Sequence, residues 1–394
     1  MKIKGFSAAA VQAGIRYQDR LDLGLIFSNV PAVTAGVFTT NKVKAAPVIL
    51  DIDRLGQGKV QAVIVNSGNA NACNGKSGME TALATSALVA EQLGIDENMV
   101  QVASTGVIGE QMSLTPFEQA MPDLVQGLSE DGFYDVARAI MTTDTVPKTS
   151  YRQVSIDGTE VSILGIAKGS GMIMPDMATM LCFVMTDVQI VFPELQSAVR
   201  AGVEKTFNRI TVDGDTSTND MVLVMANGKA GNKWIDEDNL EGKETFASAL
   251  ADIFKELALK IVEDGEGATK LVTVRVKGAR EEEGAMSAAQ TIANSALVKT
   301  AFYGEDANWG RIIAALGRSD CYFVPNKVSI YFDEVQMVKD GTGLGKEAEG
   351  ECSKILKQNR FTVTVDLNDG LEVAEVYTCD LSLDYVKINA DYRS

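Results

Sequence analysis

Thr179 stands where a loop must meet a strand. The run Lys168-Gly169-Ser170-Gly171-Met172-Ile173-Met174-Pro175-Asp176-Met177-Ala178 holds two glycines and a proline, which exclude regular helix or strand. The apolar stretch that follows, Met180-Leu181-Cys182-Phe183-Val184-Met185, reads as a core strand. A threonine hydroxyl at that mouth is a candidate nucleophile for acyl transfer, and it needs a base. The 394 residues contain no histidine, so Ser-His-Asp and Cys-His triads and His-bearing zinc sites are excluded. A lysine or a free α-amine remains. The α-amine, with a reference pKa of about 7.7 to 8.0, suits the task near neutral pH. Residue 179 owns one only after the bond before it is cut.

Other loops carry weaker signals, each with a plain structural alternative. Ser104-Thr105-Gly106 follows a short strand at 100–103. The glycine N–H and the Thr105 hydroxyl would suit an oxyanion, and a strand-ending turn explains the same residues. Thr142-Thr143-Asp144-Thr145 reads as a polar site or as a helix cap. Glu263-Asp264-Gly265-Glu266-Gly267-Ala268-Thr269-Lys270 lies between a helix and a strand, where it is either a turn or a carboxylate presented to a cationic substrate. Asp213 to Asp220 has the composition of a calcium loop but lacks the closing glutamate, so a polar turn is expected. Gly341 to Lys346 lacks the spacing of a phosphate-binding loop. The terminal Asn389-Ala390-Asp391-Tyr392-Arg393-Ser394 has the character of a frayed tail, although Asn389 and Ser394 could hydrogen-bond an amino acid.

The elements that must position these groups alternate between strand and helix. Strands are expected at 60–65, 100–103, 271–276, 328–332, 361–365 and 373–381, and helices at 79–93, 116–128, 133–141, 194–207 and 246–262. Alternation around Asp157-Gly158 predicts a hairpin over 153–166 that delivers the chain to Lys168. No repeat or Pro/Ser-rich linker marks a domain border, so the two halves are expected to pack as one unit. The 36 Lys and Arg against 53 Asp and Glu give a net charge of −17, which argues against nucleic acid and anionic membrane as partners. The five cysteines, Cys73, Cys182, Cys321, Cys352 and Cys379, show no C-x-x-C pairing. Reduced thiols of a cytoplasmic protein are expected, with no signal peptide and no membrane span.

Taken together, the chain resembles the ornithine acetyltransferase family, also called glutamate N-acetyltransferase, of arginine biosynthesis. The resemblance runs through Gly5-Phe6, Ala32 to Asn41, the Asn66 loop, Ser104-Thr105-Gly106, Lys168 to Leu181, Asp213 to Asp220, Asp264 to Lys270, Asn308-Trp309-Gly310-Arg311 and the carboxyl terminus. It implies a mixed α/β layered sandwich of the ornithine acetyltransferase and self-processing aminopeptidase type. It also implies a precursor that cuts itself between Ala178 and Thr179. An α chain of 1–178 and a β chain of 179–394 would result, packed as one interleaved unit and assembled as an α2β2 heterotetramer. In the family pattern Thr179 is the nucleophile, Thr105 and Gly106 form the oxyanion site, and Thr142, Lys168, Thr179, Glu266, Asn389 and Ser394 contact the substrate. This sequence departs from the pattern just before the cut, at Met174-Pro175-Asp176. The implied reaction moves an acetyl group from N-acetylornithine to glutamate through an acetyl-threonine ester, with acetyl-CoA as a further candidate donor and no metal or bound cofactor. The alternatives are a self-processed aminopeptidase or amidase, in which water takes the acyl group, and a non-catalytic amino-acid-binding protein.

Overall fold

The computed structural model describes residues 2–56, 58–174 and 180–391. The chain begins with β1 (Phe6–Val11), β2 (Leu23–Phe38), α1 (Ala46–Leu55), β3 (Lys59–Asn69), α2 (Gly75–Leu93), β4 (Val100–Val107), α3 (Thr115–Gln126) and α4 (Phe133–Ala139). There follow β5 (Lys148–Ile156), β6 (Thr159–Lys168), β7 (Leu181–Thr186), α5 (Phe192–Lys205), β8 (Ile210–Thr211), β9 (Met221–Ala226) and α6 (Leu240–Glu263). Beyond these lie β10 (Leu271–Ala279), α7 (Glu282–Ala293), α8 (Ala296–Tyr303), α9 (Trp309–Leu316), β11 (Ser329–Phe332), β12 (Val335–Lys339) and β13 (Thr342–Gly343). The last elements are α10 (Lys346–Ile355), β14 (Arg360–Asp366), β15 (Glu372–Cys379) and α11 (Leu383–Ala390). The described chain divides into two compact units, Met1–Asn208 with Asp215–Ile261, and Arg209–Gly214 with Val262–Ser394.

The first unit is built on a mixed sheet in the order β4-β3-β2-β9-β7-β6-β5, with β1 added beside β2. At its centre β7 and β9 run parallel, Leu181 opposite Met221 through Thr186 opposite Ala226, and every residue of both is buried. Their unbroken apolar runs are what a strand covered on both faces requires. Strands from before and after position 179 therefore lie side by side in this sheet. Along β3 the side chains alternate. Val63 and Val65 join a core with Phe133, Val136 and Ile140 of the α4 segment, while Ala62 and Ile64 meet Val89 of α2 and Phe117 and Met121 of α3. The β5–β6 hairpin forms as its Asp-Gly pair predicts, with Asp157 and Gly158 both at positive φ.

Two corrections concern strand ends. β3 runs on to Asn69 and β4 to Val107, so the loop expected from Asn66 and the turn expected at Ser104 begin as paired strand. Parallel pairing, Asn66 with Ser104 and Ser67 with Thr105, continues past the end of the apolar pattern. As the last strand of the sheet order, β4 is steadied by α1: Asp51 Oδ1 accepts from the Val102 N–H at 2.9 Å, and Arg54 donates to the Val100 carbonyl at 2.9 Å. These bonds satisfy edge groups that would otherwise be open and fix the strand that carries Thr105.

The second unit holds a sheet ordered β13-β12-β11-β14-β10-β15-β8. Val272, Val274 and Val276 of β10 and Val363 and Val365 of β14 pack with α7 residues Ala285, Ala289 and Ile292. Glu282 and Glu283 open α7, where their charge suits the helix N-terminus. The frayed tail expected from Asn389 is corrected up to Ala390. Those residues end α11, which starts at a Ser382 cap accepting from the Asp384 and Tyr385 N–H groups. None of the five cysteines is in a disulfide. No helix among the described residues is long and apolar enough to cross a membrane.

Candidate active site

Gly106 turns the end of β4 at φ +136°, and a Cβ there would lie 2.3 Å from the Gly68 carbonyl carbon and 2.5 Å from Asn69 N. Only glycine allows β3 and β4 to close together at this point. The turn is braced from below by amides: Ser104 Oγ donates to Asn66 Oδ1 at 2.7 Å, and Asn219 Nδ2 donates to the carbonyls of Ala70 at 2.6 Å and Ser104 at 2.8 Å. Buried groups satisfied in this way hold the turn in one geometry.

Lys168, the last residue of β6, reaches this turn. Its Nζ donates to Thr142 Oγ1 at 2.9 Å and to Thr105 Oγ1 at 3.2 Å. An ammonium only donates. Both hydroxyls therefore accept from the lysine. The sequence-derived candidates Thr105, Thr142 and Lys168 thus meet at one point, beside Gly106.

Asp144 organises the group. It caps no helix, contrary to the capping alternative for Thr142 to Thr145, because α4 ends at Ala139 and the carboxyl turns inward. Its Oδ1 accepts from Lys148 Nζ at 2.7 Å and from the Gly169 N–H at 2.7 Å, and its Oδ2 accepts from the Thr142 N–H at 3.1 Å. Lys168 Nζ stands 3.9 Å from Oδ2. Burial pushes the Asp144 carboxyl upward, but the charges of Lys168 and Lys148 and the bonds from Lys148 and Gly169 outweigh it and hold it at about 2. One ionised aspartate thereby fixes Thr142 through its amide, Lys168 through its charge and the start of the Gly169 loop. An aspartate four residues ahead of Lys148 was the available signal, since a lysine that opens a strand and becomes wholly buried must have an anion near it.

In the second unit Asn389 Nδ2 donates to Glu266 Oε2 at 2.7 Å. Glu266 is buried in the turn between α6 and β10. Asp380 ties down that turn by accepting from the Thr269 N–H, the Thr269 hydroxyl and the Lys270 N–H. Ser382 Oγ donates to the Gly267 carbonyl at 2.6 Å, which secures the start of α11 against the same turn. Two further sequence-derived candidates are therefore bonded to each other. Ala178, Thr179 and Ser394 lie outside the described residues.

Fold and site define a class, a mixed α/β protein whose polar cluster of threonine, lysine and aspartate is built without histidine. Residues 7–394 match the ArgJ family, and the chain belongs to that family. It is 58% identical over 394 residues, the full length of both chains, to the arginine biosynthesis bifunctional protein ArgJ of Desulfotalea psychrophila. A crystal structure of the Bacillus halodurans protein of the same name is 43% identical with a TM-score of 0.50, covering 53% of this chain and 97% of that one. A Mycobacterium tuberculosis structure of ornithine acetyltransferase complexed with ornithine is 37% identical, TM-score 0.40, covering 45% of this chain and 94% of that one.

Proposed function

We infer that this chain transfers the acetyl group of N-acetylornithine to glutamate through an acetyl ester on Thr179, as a step of arginine biosynthesis. The observation that carries this is Lys168 bridging the hydroxyls of Thr105 and Thr142 beside the forced glycine turn at Gly106, in a chain that aligns end to end with a bifunctional ArgJ relative. In the precursor, the Thr179 hydroxyl oxygen bonds to the Ala178 carbonyl carbon while the 178–179 C–N bond breaks and its nitrogen takes the hydroxyl proton. Water then cleaves that ester, leaving a carboxylate on residue 178 and a free α-amine on residue 179. The Bacillus halodurans chain is matched almost whole by about half of this one, the relation expected of a fragment from a cut precursor.

In turnover the α-amine takes the Thr179 proton as the oxygen attacks the acetyl carbonyl, and returns it to the departing ornithine amine. Glutamate's amine then attacks the ester, and N-acetylglutamate leaves. The Thr105 hydroxyl and the Gly106 N–H stabilise the oxyanion of each tetrahedral state. Thr142 and Lys168 hold the amino-acid portion on the side of the first unit; the roles that the family resemblance implies for Glu266, Asn389 and Ser394 fall to the second unit. The chemistry asks for no resident cofactor or metal, admits acetyl-CoA as a second donor, and is carried out by an α2β2 assembly in the cytoplasm.

Ornithine release from N-acetylornithine should depend on added glutamate, and double-reciprocal plots at several glutamate concentrations should be parallel. Release at full rate with water alone would assign the chain to the aminopeptidase or amidase class. Thr105→Ala should lower kcat roughly 100-fold, the scale of one lost oxyanion donor, with KM for N-acetylornithine little changed because the bond matters most in the transition state. Thr105→Ser should restore most of the rate. Unchanged kcat in a folded, cut Thr105→Ala protein would remove this hydroxyl from the mechanism.

A further inference from the structure

The loop that joins β1 to β2 carries two arginines and a tyrosine that the chemistry above leaves unused. Asp22 gives the loop its shape. Its wholly buried carboxyl accepts from the Ala13 N–H at 2.6 Å and the Ile15 N–H at 2.7 Å, and its carbonyl accepts from the Ser67 N–H at 2.9 Å. These bonds seat the loop on the end of β3. Arg16 lies against Gly68, where a Cβ would meet the arginine's own Cβ at 2.8 Å, and Gly68 is the strand partner of Gly106. The loop therefore rests on the glycine turn that carries Thr105. Arg16 itself is engaged, donating from Nη1 to Glu110 Oε2 at 2.9 Å.

Arg20 is held without an acid. Its Nη2 donates to the carbonyl of Met141, the residue before Thr142, and its guanidinium lies over the Tyr17 ring at 4.1 Å from the centroid. No carboxylate among the described residues pairs with it, in a chain with 53 Asp and Glu. A guanidinium presents five N–H donors in a planar fork, and the Met141 carbonyl takes one of them. Ring and carbonyl thus fix a half-buried cation next to Thr142, whose hydroxyl belongs to the Lys168 cluster. The remaining donors suit a carboxylate, and an orientation set in advance lowers the entropy lost on binding it.

The reaction asks for such a group. Glutamate, which takes the acetyl group, has a side chain ending in a carboxylate, whereas that of the departing ornithine ends in an ammonium. A site that serves both needs a cation for the acceptor alone. Lys168 is already engaged by Thr105, Thr142 and Asp144. We propose that Arg20 is a specificity residue for the acceptor, binding the side-chain carboxylate of glutamate in the second half of the reaction. This rests on the reading of the chain as an acetyltransferase from N-acetylornithine to glutamate.

The test uses the two half-reactions, because each begins from its own enzyme form and kcat/KM for each substrate reports its own half. Arg20→Gln keeps an amide for the Met141 carbonyl and removes the charge. It should lower kcat/KM for glutamate roughly 30-fold, the scale of a hydrogen bond to a charged group, and leave kcat/KM for N-acetylornithine within about threefold. Labelled ornithine offered as acceptor, read as label entering N-acetylornithine, lacks the side-chain carboxylate and should also stay within about threefold. An unchanged glutamate value in Arg20→Gln overturns the proposal. So does an equal fall for glutamate and ornithine, which would give the guanidinium to the α-carboxylate they share or to folding, and so does a fall confined to acetyl-CoA as donor, which would give it to a phosphate. If Arg20→Gln does not fold, Arg20→Lys decides: it keeps the charge without the fork, and glutamate must lose more than about threefold while ornithine exchange does not move. Wild-type enzyme that moves no acetyl group from N-acetylornithine to glutamate would instead overturn the function itself, a separate outcome of the same assays.

Discussion

Thr179→Ala is expected to remain one 42.1 kDa chain under denaturing conditions and to have no transferase activity, while wild type separates into 1–178 and 179–394. Both losses come from one atom. The hydroxyl is the nucleophile that breaks the bond before it, and after the cut it is the group that carries the acetyl ester. With no histidine in the chain, the base that best fits neutral pH is the α-amine that the cut itself releases. The two roles separate by producing 1–178 and 179–394 as individual chains, so that no cut is needed. Wild-type fragments should assemble into active enzyme, whereas fragments carrying Thr179→Ala should fall by at least roughly 10⁴-fold, the scale on which losing a nucleophile is felt. Thr179→Ser, which keeps a hydroxyl, should still be cut. Full activity in an intact wild-type chain would falsify the α-amine as base.

The elements that lead to position 179 were legible because their signals are local. Asp157-Gly158 between alternating runs dictates the β5–β6 hairpin, and six consecutive apolar residues dictate β7. Strand β1 gave no such signal, since Ala8-Ala9-Ala10 supports helix as readily as strand and becomes strand only by pairing with β2. β2 was hidden by Asn29 and Pro31, which fall where its pairing with β3 shifts register.

The site divides in the same way. Thr105, Gly106, Thr142 and Lys168 were named by the family resemblance, since their own runs read equally as turns or caps, and the structure brings the groups of Thr105, Thr142 and Lys168 together beside Gly106. Asp144 and Asn219 lie in runs that read as caps and polar turns. What makes them matter is burial against partners far along the chain: Gly169 for Asp144, Ala70 and Ser104 for Asn219. Composition does not record which polar turn will be enclosed.

Asp144→Asn should be the most damaging change that leaves every reacting atom in place. Asparagine fits the space, but its single carbonyl oxygen can keep only one of the bonds from the Gly169 and Thr142 amides, which reach different oxygens of Asp144, and it removes the negative charge between Lys148 and Lys168. Lys148 is wholly enclosed, and taking away one partner of a buried pair costs on the order of 3–5 kcal/mol. For a unit of this size that is a fall in Tm of roughly 10 °C. Lys168 would lose the charge that sets its position, so kcat should fall with stability. Adding Lys148→Met separates these effects. The double variant no longer buries that lysine without its aspartate and should recover most of the melting temperature, while kcat should stay low because Lys168 still lacks Asp144. Recovery of both would mean that Asp144 serves folding only. The wild-type acid transition gives an independent check. Because the folded carboxyl is held at about 2 against an ordinary 3.8, its contribution of about 2 kcal/mol is fully present above pH 4 and lost as the pH falls through about 2. Asp144→Asn should therefore unfold with a shallower dependence on pH over that window, and an unchanged slope would show that this aspartate is not held down in the folded protein.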